Sequence, residues 1–208
     1  MRQIPHLALC SGETHGHPPC DSPLDPNSQV TDERWVDALI RGEPEAFDAV
    51  WHHYRAPLFG FLVRMTGRRE VAEELVQDTF VQLHRHASRL RKDTRLKAFL
   101  FTIARNLARS HHRWGWLDGT KLAELAARAL ARPPGPEEWV ALDATQVHIE
   151  RAVASMPLNY REAFLLVVGE GLEPSEAATL LGVSPETLRQ RLHRAREIVR
   201  QYLRRLDA

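Results

Sequence analysis

Apolar residues in this 208-residue chain recur at helical spacing, and no stretch shows the strict alternation of a half-buried strand. A helical repeat brings positions i, i+3, i+4 and i+7 onto one face. Val76, Phe80 and Leu83 make one such stripe, and Leu96, Leu100, Ile103 and Leu107 make a second. A third runs through Leu188, Leu192, Ala195 and Val199. The pattern predicts an all-α protein.

Start and stop signals divide these stripes into elements. Thr31 or Asp32 is placed to cap a short helix through Ile40. Glu43-Pro44-Glu45 opens another, with proline in the first turn and acids at the positive helix end. Its apolar residues Phe47, Val50, Leu58, Phe61, Leu62 and Met65 suit a buried face, while Pro57 is expected to bend or divide it. Gly67 ends that helix, and Glu70–His86 and Arg95–Trp114 form the next two. Prolines 5, 18, 19, 23 and 26 interrupt residues 1–30, which read as a disordered tail. The Ala-rich stretch 122–131 precedes Arg132-Pro133-Pro134-Gly135-Pro136, a strong break. Two small helical domains, 31–114 and 142–208, joined by a flexible linker over 115–141, are the expected organisation.

The second unit carries a specific local pattern. Pro174–Leu181 forms a short helix with Ala177, Ala178 and Leu181 inward, and Gly182 supplies a turn residue tolerant of positive φ. Ser184 then caps a helix that begins at Pro185. This is a helix-turn-helix in which small Ala178 lets the two helices approach closely. The second helix turns Thr187, Arg189, Gln190, His193, Arg194 and Arg196 outward. That set suits the major groove, with base edges within reach of the N-terminal side chains and phosphates within reach of the arginines beyond.

Overall charge is nearly balanced, at 28 Lys+Arg against 27 Asp+Glu, so bulk charge draws no polyanion. Charge is segregated instead. Residues 84–113 hold nine Lys and Arg against Asp93 alone, and residues 184–208 hold seven arginines against three acids. Residues 70–83 carry four acids and no base. One basic block per helical unit is the arrangement of a two-site reader of nucleic acid.

The longest wholly apolar run, Ala163–Val168, is far below the roughly 20 residues that cross a bilayer, so no membrane insertion is expected. The start of the chain lacks the continuous apolar segment of a signal peptide, which points to the cytoplasm. Cys10, His15, His17 and Cys20 match no compact zinc-finger spacing, and neither a metal nor a cofactor is expected. There is no phosphate-binding glycine loop, and His52-His53 and His111-His112 are adjacent, so each pair diverges. An enzyme is not indicated.

Taken together, the two units resemble an extracytoplasmic-function (ECF) RNA polymerase sigma factor. In the first unit the likeness rests on Val71-Ala72-Glu73-Glu74-Leu75-Val76-Gln77-Asp78-Thr79-Phe80 and on Phe99-Leu100-Phe101-Thr102-Ile103-Ala104-Arg105-Asn106. In the second it rests on Met156-Pro157, Glu170-Gly171-Leu172, Leu181-Gly182-Val183-Ser184 and Arg191-Leu192-His193-Arg194-Ala195-Arg196. It covers about residues 34–113 and 149–206.

The resemblance implies a protein that joins core RNA polymerase and directs it to promoter DNA, its first domain (region 2) opening the −10 element and its second (region 4) reading the −35 element. It assigns Glu73, Glu74, Gln77 and Asp78 to the polymerase clamp; of these Glu74, Gln77 and Asp78 share one helix face by their spacing. It assigns Arg95, Lys97, Arg105, Asn106, Arg109 and Arg113 to the −10 DNA, with the loop 88–94 receiving a flipped base. Ser184, Glu186, Thr187, Arg189, Gln190, His193 and Arg194 fall to the −35 DNA. An anti-sigma partner is implied, and the linker is expected near the polymerase active site and RNA exit path. Phe99 and Phe101 are open between stacking on bases and packing in the core.

Three departures bear on this. Val71 stands where the family usually has aspartate, which is expected to weaken the acidic face. Leu172-Glu173-Pro174-Ser175 replaces the usual small-polar, aromatic and acidic opening of the motif's first helix. Glu186 is suited either to accept from cytosine or to favour the helix dipole. The competing class is a stand-alone helix-turn-helix regulator, which explains residues 174–206 but leaves the 70–106 pattern without a role.

Overall fold

The structure, a computed structural model, describes residues 26–117 and 144–205, with side chains described over 32–112 and 146–205. Its helices are α1 (Pro26–Arg41), α2 (Pro44–Thr66), α3 (Arg69–His86) and α4 (Leu96–Leu117) in the first unit. The second contains α5 (Ala144–Ser155), α6 (Leu158–Phe164), α7 (Pro174–Leu181) and α8 (Pro185–Arg204). A 3-10 turn, Ala87–Arg89, follows α3, and a π-helical turn, Leu165–Gly169, continues α6. No strand occurs among the described residues.

In the first unit α2 packs on α3 and α4, and α1 closes over α2. The expected stripes are buried: Val50, Leu58, Phe61, Leu62 and Met65 from α2 meet Val76, Phe80 and Leu83 from α3 and Leu96 and Leu100 from α4. Phe101 is fully buried, its ring edge-on to Phe61 at 5.3 Å, and is therefore a core residue. Side chains of this size each contribute about 1.5–3 kcal/mol on burial. Gly67 ends α2 with φ 70°, its N–H donating to the Val63 carbonyl at 2.8 Å.

α4 runs on to Leu117, three residues past its expected end and into the expected linker, and α1 and α2 also differ from expectation. α1 starts at Pro26, so residues 26–30 of the expected tail are helical, and neither Thr31 nor Asp32 caps it. The Asp32 carboxylate instead accepts the Tyr54 hydroxyl at 2.7 Å, a tertiary contact that outweighs the local capping preference. Pro57 does not divide α2. Tyr54, Leu58 and Phe61 are buried on either side of it, and that burial holds the helix together despite the missing backbone donor. The Ala-rich stretch 122–131 and the Cys10, His15, His17 and Cys20 group lie outside the described residues.

In the second unit the helix-turn-helix has its expected bounds. Gly182 takes φ 65°, and the Ser184 hydroxyl accepts the Thr187 N–H at 3.1 Å. Ala177, Ala178 and Leu181 are buried, as are Leu188, Leu192 and Ala195. The two units also pack together, with α7 against α4 and with α5 and α6 against α2. Their buried side chains form one continuous apolar cluster.

Candidate nucleic-acid and polymerase interfaces

α3 separates its faces cleanly. Glu73, Glu74, Gln77 and Asp78 are exposed, while Val71, Ala72, Leu75, Val76, Thr79 and Phe80 are buried. Val71 packs into the core. Glu73 pairs with Arg69 one turn back at 3.2 Å, and the Arg69 guanidinium lies 5.0 Å from the Phe59 ring centre. Sequence reasoning missed Val81, a large apolar side chain left 46 % exposed. It stands seven residues after Glu74, on the same helical line, beside a groove of about 750 Å³ that Phe47, Trp51 and Phe80 help line. A valine among polar outward positions was the signal.

The basic block occupies the loop after α3 and one flank of α4. Arg91 neutralises Asp93 at 3.0 Å, and the Thr94 hydroxyl accepts the Arg91 N–H at 3.0 Å, which closes the loop on itself. Arg89, Arg91 and Lys92 are exposed. On α4, Asn106 and Arg109 are exposed, but Arg105 is buried. The Arg105 guanidinium fork faces the Glu162 carboxylate, Nε to Oε1 and a terminal nitrogen to Oε2, both at 3.4 Å. Its other terminal nitrogen donates to Asn106 Oδ1 at 3.1 Å. Arg109 reaches the same carboxylate at 3.5 Å.

Near the start of α4, Lys97 Nζ donates to the Glu170 carbonyl at 2.5 Å, and Arg95 lies 3.7 Å from Glu176. Arg113 is in α4 beyond the described side chains. Four of these cationic residues, Arg95, Lys97, Arg105 and Arg109, meet α6, α7 or the turn between. Glu162, Glu170 and Glu176 were not anticipated. The only hint was Glu162 directly preceding the apolar run Ala163–Val168. Burial raises the Glu170 carboxyl to about 7, with Lys97 and Arg64 opposing the rise.

On α8, Ser184, Glu186, Arg189, Gln190, His193 and Arg194 are all exposed, with Thr187 half-buried. Glu186 does more than favour the dipole: it pairs with Arg189, and Gln190 Nε2 lies 3.5 Å from it. Arg194 and His193 share Glu197, at 3.2 and 4.0 Å. With Tyr160 these side chains line a concavity of about 700 Å³.

Two family patterns match in the order expected, Sigma-70 region 2 over residues 50–116 and Sigma-70 region 4 over 147–199. The RNA polymerase sigma factor CarQ of Myxococcus xanthus is 31% identical over 169 residues, covering 80% of this chain and 94% of that protein. The chain belongs to the ECF family of RNA polymerase sigma factors.

The RNA polymerase sigma-H factor of Pseudomonas aeruginosa is 27% identical across 86% of this sigma factor and 97% of its own length. Among solved structures, CnrH in complex with the cytosolic domain of CnrY aligns with a TM-score of 0.61 at 21% identity, over 83% of this chain and 97% of that one. RpoE in complex with the anti-sigma factor NepR from Bartonella quintana also gives 0.61, at 24% identity, over 76% and 96% of the two chains. Both share the fold. A stand-alone helix-turn-helix regulator is not favoured, because it leaves the region 2 match unexplained. No helix among the described residues is long and apolar enough to cross a membrane.

Proposed function

We infer that this sigma factor binds core RNA polymerase through the exposed face of α3, with Glu74, Gln77 and Asp78 as its polar part, Val81 as its apolar centre and Glu73 at its edge. Duplex opening at the −10 element falls to α4 and the loop before it. Arg95, Lys97, Arg105, Arg109 and Arg113 would neutralise phosphates, Asn106 would meet a base, and the loop 88–94 would hold a flipped base. The N-terminal half of α8, from Ser184 to Arg194, would read the −35 element in the major groove. The role is non-catalytic and needs no cofactor. It is exercised in the cytoplasm, and an anti-sigma factor controls it by covering these faces.

The observation that carries this reading is the division of α3 and α4. One helix exposes Glu73, Glu74, Gln77, Asp78 and Val81 along its middle turns, its neighbour carries the basic block, and the same chain holds a capped helix-turn-helix. A clamp contact and a DNA contact of opposite charge then lie side by side on one small unit. Co-elution of the full chain with core polymerase, without DNA, tests it. The wild type should co-elute, and Glu74→Lys/Asp78→Lys should lose the complex while keeping its helical circular dichroism. Unchanged binding by that variant removes the clamp assignment.

A further inference from the structure

Asp32 stands inside α1, where its own helix has no use for a capping carboxylate. That carboxylate serves two other helices instead. It accepts the Tyr54 hydroxyl of α2 at 2.7 Å and takes the backbone N–H of Lys97, in the first turn of α4. Trp35, one turn further along α1, has its ring centre 5.0 Å from that of His53 and 6.2 Å from that of Tyr54. These contacts fix α1 on α2, and the carboxylate with it.

α4 needs such a group. The first N–H groups of a helix have no partner within it, and the side chain just before the helix ordinarily supplies an acceptor. Here that residue is Arg95, whose side chain only donates, and the Thr94 hydroxyl is turned back to the Arg91 N–H at 3.0 Å. Lys97 is the second residue of α4, a position whose N–H is normally received by the cap. A carboxylate there also meets the positive end of the helix. Asp32 thus does from another helix what a neighbour in sequence would ordinarily do.

α1 holds the other end of the same loop as well. It packs against the 3-10 turn Ala87–Arg89, and Leu90 leans on the apolar cluster. The loop before α4 is therefore tied to α1 at both ends, by the turn that precedes it and by the helix start that follows it.

We propose that Asp32 is a positioning residue for −10 opening: by holding the first turn of α4 it sets how the loop 88–94 is presented to a flipped base. Asp32 itself touches neither base nor phosphate. Its effect passes through the Lys97 N–H, so its loss blurs the choice of base more than it weakens binding. This rests on the assignment of α4 and the loop 88–94 to the −10 DNA given above.

The experiment uses the full chain, alone and joined to core polymerase. Hydrogen exchange over residues 89–99, read by mass spectrometry on the free chain, follows the start of α4. Enrichment from a randomised single-stranded DNA pool by the holoenzyme reads base preference. Asp32→Ala should speed exchange over 89–99 several-fold and flatten the preference at the captured base, while total binding to the pool falls less. Asp32→Asn keeps an acceptor oxygen and should restore both. Val36→Ala opens a cavity under the same helix without touching the carboxylate, and it should leave the preference intact.

Exchange over 89–99 no faster in Asp32→Ala than in Val36→Ala overturns the proposal. So does a preference that survives in Asp32→Ala, or one that Val36→Ala erases equally. Asn106→Ala then separates the causes. If it flattens the preference or weakens binding, the −10 assignment holds and only the role of Asp32 is lost. If it changes neither, or if the wild-type holoenzyme enriches no base, the −10 assignment has failed and the positioning role falls with it.

Discussion

Arg64, near the end of α2, and Glu150, on α5, are 86 residues apart in sequence and make a two-pronged contact, with Arg64 Nε 2.9 and 3.0 Å from the two carboxylate oxygens. Both side chains are largely shielded, at 20 and 12 % exposure, so the pair feels less screening than a surface ion pair. Beside it, Arg161 donates to the Arg64 and Met65 carbonyls and to those of Ala154 and Met156. One guanidinium thereby satisfies the carbonyl ends of two helices from different units. Burial lowers the Arg161 pKa, yet the helix-end carbonyls give it favourable electrostatic company.

The buried end of α1 gives a first prediction. Tyr54 donates to Asp32 at 2.7 Å, and burial raises the pKa of both groups, disfavouring their ionised forms. Tyr54→Phe removes the donor and leaves a partly buried carboxylate with one partner fewer. Denaturant unfolding should show a loss of about 1–3 kcal/mol with little change in the slope. No loss would mean that solvent already satisfies Asp32.

The helix-turn-helix supplies a second. Ser184→Ala deletes the cap on α8 and should cost about 1 kcal/mol. Gly182→Ala has open space for the new methyl group but must keep φ 65°, at a cost of roughly 1 kcal/mol or more. Thermal melts of both variants should fall, and duplex binding should weaken in parallel. Unchanged melts would show that the turn relaxes without penalty.

A third concerns −35 reading. If Arg189 or Gln190 contacts a base, its replacement by alanine should cost about 1–3 kcal/mol of discrimination at one position. Loss of Arg189 should also release the Glu186 it pairs with. Competition between cognate and single-substituted duplexes reads this directly. A uniform loss across all duplexes would instead make the residue a phosphate contact.

A fourth concerns pH. Glu170 is held protonated in the folded chain up to about pH 7, while its ordinary value is 4.5. Between those values the folded state binds more protons than the unfolded state. Its contribution is therefore fully present at low pH and is lost as pH rises toward about 7. Glu170→Gln stays neutral and should lack this component. Comparing the melting temperature of wild type and variant at about pH 5 and pH 8 checks it. The wild type should fall further, and equal changes would place the Glu170 carboxyl in water.

Much of this protein follows from the sequence by itself, because it is written between near neighbours. Gly67 and Gly182 stop their helices, Ser184 starts one, and the i, i+4 spacing separates Glu74 and Asp78 from Leu75 and Val76. Such signals depend on backbone geometry and reach only one or two turns, so local reading recovers them. Tertiary structure decided the rest. It drew Val71 inward, took Asp32 away from a cap, placed Phe101 in the core, and set Glu162 between Arg105 and Arg109 from 57 residues beyond Arg105. A carboxylate and a guanidinium that far apart attract each other only when packed helices bring them within about 4 Å and remove the water between them. That geometry belongs to the packing of two units and to no single segment of the chain.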